Sequence, residues 1–156
     1  MKKAILFFLI LTACTSTKVD PMLNEAEGIT FGHFYGECGG EGCVEIYKLT
    51  DTALYEDSKD QYPSSLQAYE GDFRPLDNAS FEKVKGLANE IPEALLKIND
   101  VVIGQPDAGD WGGIYLEINK DGQRRFWLID KMDANIPENL RPFVANIEEK
   151  IAMINE

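Results

Sequence analysis

The chain is short of histidine, cysteine and basic residues, with one histidine, three cysteines and 15 lysines and arginines against 27 acidic residues. A single imidazole, His33, excludes multi-histidine metal sites and the His-Glu-x-x-His pattern, which needs two on one helix face. Gly-x-Ser-x-Gly and a Walker A lysine are also missing, and no helix-forming run follows the glycines between Gly36 and Gly42, so the sequence contains neither a nucleophile elbow nor a phosphate cradle. The apolar run Ala4 to Leu11 would span about 12 Å as a helix against a hydrocarbon core of roughly 30 Å, too short to cross a membrane. The formal charge of −12 repels phosphate backbones and anionic headgroups, which argues against nucleic acid as a partner. A partner recognised by charge is basic, or a cation.

What the chain does have at its start is Lys2-Lys3, that apolar run, and then Leu11-Thr12-Ala13-Cys14. This order resembles the lipobox of bacterial lipoprotein signal peptides. The resemblance implies cleavage before Cys14, a diacylglycerol on the Cys14 thiol, and acylation of the new amino terminus, with small Thr12 and Ala13 suiting a cleavage pocket that rejects bulk. Two or more acyl chains make a stable membrane hold where one is reversible. Thr15 stands where an aspartate would signal inner-membrane retention in Gram-negative lipoproteins, so the expected location is the cell envelope, on the outer rather than the inner membrane.

Residues 1–13 therefore read as a signal peptide, 14–27 as a polar lipid-anchored tether, and 28–156 as a single domain. Lys2 and Lys3 leave with the leader, which holds no acid, and the mature chain carries −14. Two cysteines then remain. An even number in an exported chain points to a disulfide between Cys38 and Cys43, closing a Gly39–Gly42 loop between strands Ile29–Tyr35 and Val44–Leu49. Redox-active thiols, or metal ligation together with His33, are the alternatives for the pair. On an extended strand, though, the odd separation of His33 and Cys38 sends them to opposite faces.

Further strands are expected at Ala53–Asp57, around Tyr69–Phe73 and at Val101–Ile103, with a hairpin of Ile114–Asn119 and Gln123–Asp130 joined through Lys120-Asp121-Gly122. Phe81, Val84, Leu87, Ala88 and Ile91 fall at helical spacing, predicting a helix over Ala79–Glu90 and a shorter one over Pro92–Lys97. Phe143, Val144, Ile147, Ile151 and Ile154 form the apolar stripe of a closing helix after Pro142. The fold class is α+β, an antiparallel sheet of about five strands with two main helices packed on one face.

This element order, with Phe31-Gly32, Tyr35-Gly36-Glu37-Cys38, Cys43 and Asp107-x-x-Asp110-x-Gly112-Gly113, resembles small envelope lipoproteins of Gram-negative bacteria whose domains have no assigned function. The resemblance implies no reaction. The loop Gln105–Gly113 is the candidate binding surface: Asp107 and Asp110 on a Gly-rich turn suit a cation such as calcium, although EF-hand alternation is missing, and a solvated turn with Trp111 tucked against the sheet is the plainer reading. No catalytic residue, cofactor or resident metal is assigned. The expected role is a non-catalytic binding or accessory module, held to the membrane through Cys14 and facing a basic protein or another envelope component. An acidic inhibitor of a basic cell-wall hydrolase is one alternative, and a Cys/His redox or enzymatic site is another.

Overall fold

The computed structural model describes residues 27–156. The leader, Cys14 and the tether before Glu27 lie outside the described residues. Among the described residues no helix is long and apolar enough to cross a membrane.

Seven strands form one sheet: β1 (Gly28–Phe34), β2 (Val44–Leu49), β3 (Leu54–Asp57), β4 (Phe73–Pro75), β5 (Val102–Ile103), β6 (Gly113–Lys120) and β7 (Gln123–Asp130), in the order β4-β3-β2-β1-β6-β7-β5. β1 is central, pairing with β2 through Ile29↔Leu49 to Phe34↔Val44 and with β6 through Gly28↔Asn119 to Phe34↔Gly113. The β6–β7 turn needs two left-handed residues in a row, and Asp121 (φ 53°) and Gly122 (φ 72°) supply them.

Two expectations of the sheet need correction. It has seven strands rather than about five, and it is mixed rather than antiparallel, because β5 runs parallel to β7 through Val102↔Leu128 and Ile103↔Ile129. The reason is a crossover: from β4 at one edge the chain passes through α1 (Asn78–Val84), a 3-10 turn (Leu87–Glu90) and α2 (Glu93–Leu96) before reaching the opposite edge. Such a return delivers a strand in either sense, whereas a tight hairpin delivers only an antiparallel one. The strand expected around Tyr69 begins instead at Phe73, and the helix expected to reach Glu90 stops at Val84 as an α-helix. Asp77 caps that helix, accepting from Ser80 N at 2.8 Å.

α3 (Arg141–Ile154) places Phe143, Val144, Ile147 and Ile151 against Phe31, Tyr47, Leu116 and Trp127, together with Val84 of α1. Each fully buried large apolar side chain here contributes about 1.5–3 kcal/mol of transfer free energy. The opposite sheet face is buried too. The 58–72 connection carries Tyr69 over it, and Phe34, Ile46, Tyr69, Phe73, Tyr115 and Leu128 make a second core.

Candidate functional site

The hairpin tip between β1 and β2 forms one wall of a sizeable cavity. Cys38 and Cys43 are joined, with sulfurs 2.02 Å apart. They are not the closing cross-strand pair: Phe34↔Val44 is the last register pair, and Tyr35 N then donates to Cys43 O at 2.9 Å. Gly36 is drawn away by Asp107, and Glu41–Cys43 wind into a 3-10 turn, so Cys38 lies beyond the ladder. His33, opposite Glu45 in the register, does not join the cysteines. Its Nε2 donates to Gly42 O at 3.1 Å and lies 3.3 Å from Glu45 Oε2. Burial lowers the His33 pKa, with the Glu45 carboxylate opposing the shift.

The cavity, about 510 Å³, is lined by Glu41 and Gly42 of the tip, Glu45 of β2, Glu56 and Asp57 of β3, Ser58, Asp60, Arg74 of β4 and Asn155 just after α3. Strand alternation explains the arrangement. Glu45 and Glu56 share the helical face of the sheet with the apolar Tyr47 and Leu54, but lie where α3 has ended, so they face water rather than core. Asn155 fixes that edge, accepting from Tyr47 Oη at 3.0 Å and donating to Glu45 Oε2 at 2.7 Å. The last turn of α3 holds no basic residue of its own, but Lys83 Nζ donates to Met153 O at 2.6 Å and offsets the negative end of its dipole.

Burial, and then the charges of Glu45, Asp60 and Glu41, raise the pKa of Glu56. Burial, then Asp57, Glu41 and Glu45, raise that of Asp60. Arg74 does not neutralise this wall, because its guanidinium is 2.7 Å from Asp72. Asp57 is a brace: almost fully buried, it accepts from Tyr69 Oη at 2.6 Å, Asp60 N at 3.1 Å and Asp72 N. Ser58, the cavity hydroxyl, donates to Asp72 O at 3.0 Å. Among the described residues no three His, Cys, Asp or Glu side chains converge on a point where a metal ion would sit. The carboxylates instead line a space that suits a long cationic side chain.

The Gln105–Gly113 loop uses its polar groups internally. Asp107 Oδ2 accepts from Gly36 N at 2.7 Å and Tyr62 Oη at 2.9 Å, while Oδ1 accepts from Gly112 N at 3.1 Å. Trp111 Nε1 donates to Asp130 Oδ1 at 2.9 Å. Asp130, fully buried, also receives Gln105 N, Met132 N and Asn135 Nδ2 at 2.7–2.8 Å. Burial alone would raise the Asp130 pKa, but the hydrogen bonds from Met132, Gln105, Asn135 and Trp111 outweigh it and hold the carboxyl below its usual range. Asp110 is exposed, with a left-handed backbone at φ 62°.

Sequence reasoning missed the cavity and also a polar network inside the second core. Glu117, 2% exposed, accepts from Tyr115 Oη at 2.5 Å and from Arg124 Nε at 2.5 Å, and Arg124 Nη2 reaches Tyr69 O at 2.6 Å. A carboxylate at an alternating strand position reads as solvent-facing unless the covering loop is foreseen. Compared with known proteins, the chain matches no family model, no curated protein and no solved structure.

Proposed function

We propose that this chain is a lipid-anchored envelope lipoprotein, held through Cys14, whose folded domain binds a basic protein without catalysing a reaction. The lipobox-like Leu11-Thr12-Ala13-Cys14 supports the anchor, and its sequence context favours the outer membrane. The observation that carries the binding role is the acidic cavity, where Glu41, Glu45, Glu56 and Asp60 surround about 510 Å³ while Arg74 is turned to Asp72 and burial favours the neutral form of His33 beside Glu45. Like charges held this close raise one another's pKa, and a lysine or arginine side chain from a partner relieves that repulsion. Charge complementarity of this kind speeds encounter and selects the partner more than it adds affinity.

A basic cell-wall hydrolase is the specific partner that the small size, the bridge and the charge favour as a second reading. Both readings are tested by titrating the folded domain with lysozyme across a salt series while following lysozyme activity. Binding that weakens steeply with salt supports the basic-partner reading, and loss of lysozyme activity on binding selects inhibition. No binding at low salt contradicts both. For the anchor, Cys14→Ala should move the protein from the membrane fraction to the soluble fraction, and unchanged fractionation would remove it.

A further inference from the structure

The Cys38–Cys43 bridge closes the tip that carries Glu41 and Gly42 into the cavity wall. Apart from the bridge, the tip is held mainly at its Cys43 end, where Tyr35 N donates to Cys43 O at 2.9 Å. Apart from chain neighbours, no heavy atom of the described residues lies within 4 Å of where a Cβ would stand at Gly39 or Gly40, so these two glycines do not pack on the body. Cys43 N donates to Gly40 O at a long 3.3 Å, and His33 Nε2 to Gly42 O at 3.1 Å. The sheet does not depend on the bridge in the same way. β1 is paired on both sides, through six register pairs with β2 and seven with β6, and its apolar residues are fully buried. A loop this short adds little stability by chain entropy, and glycine makes the released segment especially mobile.

From this geometry we infer that the bridge is a redox latch: reduction frees the hairpin tip and weakens the cavity's hold on cationic partners while the sheet stays folded. The inference rests on the basic-partner reading of the cavity. Cys38 is exposed and Cys43 is buried, so an incoming thiolate reaches Cys38 Sγ first. A dithiol reductant attacks Cys38, forms a mixed disulfide and expels the Cys43 thiolate. Its second thiol then displaces Cys38, leaving two protein thiols and a cyclic oxidised reductant, with two electrons and two protons transferred. Freed of the bridge, Glu41 and Gly42 leave the wall, and the cavity loses the Glu41 carboxylate from among Glu41, Glu45, Glu56 and Asp60.

The test uses the mature chain in three forms: oxidised, reduced by dithiothreitol, and Cys38→Ser/Cys43→Ser. Amide hydrogen exchange is read at the tip and along β1 and β6, and fluorescent oligolysine reports binding. The latch predicts exchange at Gly39–Cys43 about tenfold faster without the bridge, with the β1 and β6 amides unchanged. It also predicts oligolysine binding about threefold weaker, the scale of one partly exposed ion pair. Tip exchange that does not change, strand exchange that rises together with the tip, or equal affinity in all three forms would overturn the latch alone. Absence of oligolysine binding in every form would overturn the cavity reading, and the latch with it.

Discussion

His33 and Glu45 face each other across the β1–β2 ladder with Nε2 and Oε2 3.3 Å apart, joining the only histidine in the chain to a wall of the acidic cavity. The pair sits in a crowded field: Lys131, 2.8 Å from Glu148, lowers the imidazole pKa, and Glu148 raises it. Desolvation outweighs these charges, so the fold favours neutral His33.

The sign of the resulting pH dependence follows from linkage. With the folded pKa below 6.5, the unfolded chain binds the proton more readily, so the contribution from His33 is complete above pH 6.5 and is lost as pH falls through the folded value. Glu56 and Asp60, raised in the fold, act in the opposite sense as pH rises above 4.5 and 3.8. Subtracting the thermal-melt profile of His33→Gln from that of the parent isolates the histidine. The difference should decline below pH 6.5, and the imidazole should titrate below 6.5 by NMR.

Asp107 and Asp130 brace loops by accepting hydrogen bonds, three and four respectively from other residues. Asp130→Ala leaves several buried donors unmet and should cost about 3 kcal/mol or more in denaturant unfolding, with Asp107→Ala costing about 1–2 kcal/mol. Because the Asp107 oxygens are committed to Gly36, Tyr62 and Gly112, calcium should leave the melting temperature of the parent unchanged.

Glu117 and Arg124 form a largely buried pair on the second sheet face. Removing one charge strands the other. Arg124→Met should therefore destabilise by about 3 kcal/mol, while the double variant Glu117→Leu/Arg124→Met should recover much of that loss in a double-mutant cycle.

Local signals in the sequence were enough to foresee several of these elements. Asp121-Gly122 specifies its turn, Phe143, Val144, Ile147 and Ile151 give the buried stripe of α3, and Cys38 and Cys43, expected as a pair, are bridged. The cavity depends instead on distant positions. Glu45 and Glu56 become neighbours only through the β2–β3 pairing, Asp60 is placed by the buried Asp57, and Asn155 arrives from more than a hundred residues away. The strand expected at Val101–Ile103 is present as β5, but its parallel pairing with β7 was out of reach for the same reason, since two apolar residues cannot specify which edge they join. Asp107 and Trp111 looked like a binding loop because their residue types suit one, and their use as a brace depends on Gly36, Tyr62 and Asp130.

The most direct test compares two charge-matched double variants for oligolysine binding at low salt. Glu56→Gln/Asp60→Asn removes two acids from the cavity, and Glu93→Gln/Glu149→Gln removes two exposed acids outside it. A cation held in the cavity predicts about tenfold weaker binding for the first pair and less than about twofold for the second. Equal losses from both pairs would show that only net charge is being read, and would contradict the cavity as the binding site.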